Sequence, residues 1–174
     1  MATICRETVV DGYNLIHKLW NPGSGESMVA LRERIELLLS ADRRKTRRHV
    51  TLVYDGGAGP KPLSVGGAIE VISSGSSRTA DRWIIDHVKS IGPRADLVSV
   101  VSSDLEIRRY VIAWGGQWIS SEAFIEELET MGILEAGKVR QAKRRTTESA
   151  MKIGTQQISD AEVERWLQLF DKKK

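Results

Sequence analysis

Thr8-Val9-Val10-Asp11-Gly12-Tyr13-Asn14-Leu15 is a short β-branched run that ends on an acid and breaks at once into glycine. Such a run favours a strand. A buried strand has no use for a carboxylate at its tip, because an isolated buried charge is costly unless something pairs it. At the carboxyl end of a strand in an open α/β sheet, the same acid faces the crevice where ligands bind. Gly12 lets the chain turn sharply, and Asn14, three residues after the acid, can present its amide to the same place. Leu52-Val53-Tyr54-Asp55-Gly56 and Val98-Ser99-Val100-Val101-Ser102-Ser103-Asp104 repeat the device. Three strand-terminal aspartates are therefore expected to share one acidic pocket.

Working outward, residues 26–42 carry Met28, Leu31, Ile35, Leu38 and Leu39 at helical spacing, after an irregular stretch over 15–25 marked by Asn21-Pro22-Gly23. A second strand is expected over 49–55, a glycine- and proline-rich surface loop over 56–67, and a third strand over 68–72. Thr79 is a natural N-cap for a helix to about Ile91, with Ala80, Ile84, Val88 and Ile91 on one face. A fourth strand over 97–101 leads into a helix that Asp104 opens, with Ile107, Tyr110, Val111 and Trp114 as its stripe. A brief strand over 117–119 and a helix capped by Ser120 or Ser121 follow. Alternating strands and helices with short links predict an α/β fold: a three-layer α/β/α sandwich with a mainly parallel central sheet. The expected domain spans 1–131. Residues 132–174 are read as a basic tail and a C-terminal amphipathic helix, opened by the capping box Ser159-Asp160-Ala161-Glu162, that packs on the same domain.

The chain has 174 residues, of which 41% are hydrophobic and 28% charged, as in an ordinary soluble globule with one real core. No apolar run approaches the roughly 18 to 20 residues that cross a bilayer, and residues 1–8 lack a secretory signal. The single cysteine, Cys5, excludes an internal disulfide and a cysteine-rich metal site. A cytoplasmic protein without a membrane partner is expected.

The net charge is only +3, but it is unevenly spread. Arg43, Arg44, Lys45, Arg47, Arg48 and His49 form one basic run; Lys138, Arg140, Lys143, Arg144, Arg145 and Lys152 form another. Such clusters beside an acidic pocket suit a phosphodiester-processing protein, since Lys and Arg neutralise backbone phosphates. They equally suit solvated helix ends, where cations meet the negative pole of the dipole.

The acids carry the chemistry. Asp81, in the first turn of its helix, joins Asp11, Asp55 and Asp104; Asp86, one turn later, lies off the apolar face. Carboxylates gathered at one sheet edge repel one another unless a cation neutralises them. Oxygen-only ligands point to Mg2+ or Mn2+, which can position a water, lower its pKa and stabilise charge on a phosphate oxygen. His17, His49 and His87 share no zinc-site spacing. Each residue also has a plainer explanation: Gly12, Gly56 and Gly57 serve turns, Asn14 satisfies loop backbone, and Ser103 caps a helix. The five tryptophans are core or docking residues, with Trp20 and Trp118 as possible base-stacking groups.

Val9-Val10-Asp11-Gly12-Tyr13-Asn14, Val53-Tyr54-Asp55-Gly56-Gly57, Ala80-Asp81, Val100-Val101-Ser102-Ser103-Asp104 and Asp160-Ala161-Glu162-Val163-Glu164-Arg165-Trp166-Leu167 together resemble the YacP-like branch of the NYN domain family. The motifs occur in the family's order over nearly the whole chain, with Arg82 after Asp81 as one departure. The resemblance implies a PIN-like nuclease fold and metal-dependent cleavage of RNA. Carried over by position, Asp11, Asn14, Asp81 and Asp104 form the catalytic core, with the three aspartates as metal ligands. Asp55 and Ser103 support the site or contact substrate, and Arg43, Arg44, Arg144 and Arg145 hold RNA. Two other readings stay open: an RNA-binding or ribosome-associated module that cuts little, and a small-molecule phosphohydrolase. The last would require a second acid two residues after the first, where Tyr13 stands.

Overall fold

The computed structural model of the chain describes residues 7–20, 25–57, 63–65 and 69–134. Its centre is a six-stranded sheet formed by β1 (Glu7–Asp11), β2 (His49–Tyr54), β3 (Leu63–Val65), β4 (Ile69–Ser73), β5 (Val98–Val101) and β6 (Gln117–Ile119), in the order β3-β4-β2-β1-β5-β6. β1 pairs in parallel with β2 and β5, β2 with β4, and β5 with β6; β3 alone is antiparallel, on β4. Successive side chains of a strand point to opposite faces, and both faces here are covered. Val10, Leu52, Tyr54 and Val101 face a core with Leu15, Ile16, Leu31, Ile35, Leu39, Phe124 and Leu128. Val9, Val53, Val98 and Val100 face a second core with Ala80, Ile84, Val88, Ile107 and Val111. Such continuous apolar strands are what a parallel sheet covered on both sides requires.

The helices are α1 (Gly12–Leu19), α2 (Met28–Thr46), α3 (Ala80–Ile91), α4 (Leu105–Ala113) and α5 (Ser121–Thr130). The first core places α1, α2 and α5 on one face, and the second places α3 and α4 on the other. Their starts are fixed by side-chain caps: Ser27 accepts from Ala30 N, Thr79 from Arg82 N, Ser120 from Ala123 N, Asp11 from Asn14 N, and Asp104 from Glu106 N and Ile107 N. Each cap contributes about 1 kcal/mol. From β1 the chain winds outward through β2 to β4, then crosses to β5 on the other side of β1 and on to β6. The winding reverses between β1 and β5, and the carboxyl ends of these two strands bound the crevice in which doubly wound sheets bind ligands.

Three local readings change. Residues 12–14, expected to turn, and 15–19, expected to be irregular, form α1: Asp11 caps it, Leu15 and Ile16 are fully buried, and Leu19 packs on the same core. A helix of barely two turns owes its stability to that packing, which no periodicity over eight residues reveals. The 56–67 loop contains β3, because β4 offers it an edge to pair with, a non-local cause. Tyr110 and Trp114, expected within the stripe of α4, are 44% and 45% exposed, while Ile107 and Val111 carry the packing. Gly12 answers to a close approach: a Cβ there would lie 2.5 Å from the Tyr54 ring. The predicted tail and C-terminal helix, apart from residues 132–134, lie outside the described residues.

Candidate active site

Asp11 ends β1 and is 7% exposed. Its Oδ1 accepts from Asn14 N at 3.2 Å and its Oδ2 from Ser102 Oγ at 3.1 Å. The same Ser102 oxygen accepts from Asp104 N at 3.1 Å, so one buried hydroxyl ties the end of β1 to the loop after β5. Asp104 Oδ1 in turn accepts from Glu106 N at 2.6 Å and Ile107 N at 3.2 Å. Burial pushes the Asp11 carboxyl up to about 6, the charges of Asp81 and Asp104 push the same way, and the bonds from Asn14 and Ser102 oppose them. Asp81, at the start of α3, is also raised, first by burial and then by the charges of Asp104, Asp55 and Glu106. The Asp11 and Asp81 carboxyls thus each feel the charge of neighbouring acids at the switch point.

Asp55, just past the end of β2, has a different task. Its Oδ1 accepts from Ser74 Oγ and from Ala80 N, both at 3.1 Å. It anchors the first residue of α3 and so positions the helix that carries Asp81. Asp86 takes no part in the cluster: it pairs with Arg78 at 3.6 Å and Arg82 at 3.4 Å. The departure at Arg82 is thereby accounted for, since that cation is engaged one turn along its own helix.

Asn14 and Ser103 form the other wall. Asn14 Oδ1 accepts from Ser103 N at 3.0 Å and from Ser121 Oγ at 2.8 Å. Ser103 Oγ accepts from Ser121 N at 3.1 Å and donates to Glu122. Glu122 pairs with Lys18 at 2.7 Å, and that hydrogen bond, with the one from Ser103, holds its carboxyl down at about 2. Lys18, Ser102, Ser121 and Glu122 were not singled out from the sequence as site residues. A serine at a strand end or just past a cap carries no mark that separates it from any other.

The first basic run lies elsewhere. Arg43 and Arg44 occupy the last turn of α2, which leads through Arg47 into β2 at His49, and His49 stands in register with Glu7 at the amino end of β1. They sit about 13 Å of strand away from Asp11, at the opposite edge of the sheet. Arg48 is bound to Asp42 and Glu127. Arg144 and Arg145 lie outside the described residues.

Asp11, Asp81 and Asp104 offer only hard oxygen donors, and their mutual repulsion is of the sign that a divalent cation relieves. In this respect the residues fit Mg2+ or Mn2+. Among the described residues, no group of three or more His, Cys, Asp or Glu side chains is placed so that it could hold a metal ion.

Ser102→Ala leaves Asp11 Oδ2 without its donor and Asp104 N without its acceptor. The expected cost is about 1–3 kcal/mol, read as a drop of several degrees in the melting midpoint. An unchanged midpoint would show that the hydroxyl link carries nothing.

The sequence profile of the YacP-like NYN domain matches residues 8–171. The crystal structure of Rae1 (YacP) from Bacillus subtilis aligns with a TM-score of 0.57 at 24% identity, covering 95% of this chain and 92% of that one. A variant of that protein, with one tryptophan replaced by leucine, gives 0.60 at 22% identity over 93% and 90%. At such identities the likeness speaks for the fold. A comparison with curated protein sequences gave no significant match.

Proposed function

We propose that this chain, which belongs to the YacP-like NYN domain family, is a metal-dependent endoribonuclease that hydrolyses phosphodiester bonds of single-stranded RNA. The family's PIN-like nuclease fold supports RNA as the substrate class. The observation that carries the reading is the electrostatic coupling of Asp11, Asp81 and Asp104 at the switch point between β1 and β5.

Asp11, Asp81 and Asp104 would hold Mg2+ or Mn2+. A bound cation supplies charge stabilisation at the phosphate and a water of lowered pKa. The chain's own residues do the positioning. Asp55 fixes the start of α3, Ser102 fixes Asp11 against the Asp104 loop, and Ser103 and Ser121 fix Asn14. RNA crosses the carboxyl edge of the sheet, where Lys18 joins the serine network through Glu122. Arg144 and Arg145 are proposed to hold its phosphates. Any contact of Arg43 or Arg44 with RNA falls away from the reacting phosphate. The setting is proposed to be cytoplasmic, with RNA free or carried by the ribosome; no helix among the described residues is long and apolar enough to cross a membrane.

The test is incubation of a single-stranded RNA with the full chain in Mg2+ or Mn2+, then with EDTA, and in parallel with the same RNA loaded on ribosomes. Internal cuts that vanish with chelation are expected. RNA bound but left whole in every arm would overturn the enzyme and leave an RNA-binding module.

A further inference from the structure

The side-chain amide of Asn14 is locked in one orientation. A backbone N–H can only donate, so the Asn14 atom that meets Ser103 N at 3.0 Å is the amide oxygen; the nitrogen in its place would set donor against donor. Ser121 Oγ, on a residue with no exposed surface, donates to the same oxygen at 2.8 Å. Both lone pairs of Oδ1 are thus engaged, one from the loop after β5 and one from the start of α5. Meanwhile the backbone N–H of Asn14 donates to Asp11 Oδ1, which keeps the residue beside the carboxylates. Nδ2 has no protein partner among the described residues and is not sealed from solvent, since Arg32 Nε is the unpartnered buried side-chain nitrogen among them.

We propose that Asn14 binds the RNA phosphate and does not bind the metal: Nδ2 donates to a non-bridging oxygen of the phosphate held above Asp11 and Asp104. This rests on the nuclease reading and assigns one residue's part in it. An amide ligates a hard cation through its oxygen, and that oxygen is already taken twice. The two remaining N–H donors match phosphate oxygens, the usual recipients of Asn contacts in nucleic-acid complexes. Charge supports the same choice. A phosphate entering among Asp11, Asp81 and Asp104 is repelled, and an amide offers attraction there without pairing off a carboxylate that the cation needs.

Asn14→Asp isolates the point, because a carboxylate still accepts from Ser103 N and Ser121 Oγ but turns an acceptor toward the phosphate. Asn14→Ser removes the amide without adding charge. Two affinities are read on the full chain: that for a labelled single-stranded RNA, by fluorescence anisotropy in Ca2+, and that for Mn2+ alone, by electron paramagnetic resonance. Circular dichroism confirms the fold, and if one variant does not fold the other decides. Both folded variants are expected to bind RNA at least about tenfold more weakly, with Mn2+ affinity undiminished. RNA affinity equal to the wild type in a folded variant overturns the proposal. So does an Asn14→Ser variant that loses Mn2+ affinity by a similar factor, which would mark a metal ligand. A wild type that binds RNA through Asn14 but never cuts it removes the nuclease reading alone; one that cuts RNA yet loses no affinity in either variant removes the Asn14 contact alone.

Discussion

Asp11→Asn and Asp104→Asn are each expected to lower the proposed RNA cleavage by about a hundredfold or more while the fold stays intact. Both carboxylates are helix N-caps, of α1 and α4, and asparagine caps about as well as aspartate. The substitution therefore keeps the cap and removes the charge, although at position 11 it also turns an N–H toward Ser102 Oγ. Undiminished cutting by a folded variant would take that aspartate out of the reaction. Asp11→Asn has a second signature. The fold raises the Asp11 carboxyl from 3.8 to about 6, so it favours the protonated form. Stability from this group is full below the ordinary carboxylate value and is lost as pH rises through about 6, an effect of about 2–3 kcal/mol. Without metal, Asp11→Asn should melt several degrees above the wild type at pH 8, and the gap should close near pH 3.5. Added Mn2+ should raise the wild-type midpoint by mass action and raise that of Asp11→Asn far less.

Much of this site is legible in sequence for a definite reason. An acid at the tip of Val9-Val10 or Val100-Val101 breaks the rule for a buried strand, so it stands out, and the topology of a doubly wound sheet brings such tips together. Residues that obey local rules stay hidden. Ser102 looks like any strand-end serine until its hydroxyl is seen between Asp11 and Asp104. α1 hides because two turns of helix that open on a glycine leave too few residues for a period to show. β3 hides because its cause lies in β4, outside its own three residues.

The basic run at 43–49 is the instructive case, since a charge cluster reports composition and says nothing about where each side chain goes. Arg48 holds Asp42 with two bonds, Nη2 to Oδ1 at 2.7 Å and Nε to Oδ2 at 2.9 Å, and reaches Glu127 at 2.8 Å. Asp42 has no exposed surface, so the pair joins the end of α2 to α5 from inside. Arg48→Met is expected to cost about 3–5 kcal/mol, because it strands a buried carboxylate. That is a fall of about 10 °C or more in the melting midpoint. Arg44→Ala, on an exposed neighbour, should stay within about 0.5 kcal/mol. Adding Asp42→Leu to Arg48→Met should recover much of the loss, since the penalty belongs to the unpaired charge. At a temperature where Arg48→Met is folded, its RNA affinity should match the wild type. An intact melting midpoint combined with weakened RNA binding would reverse the assignment and return Arg48 to the binding surface.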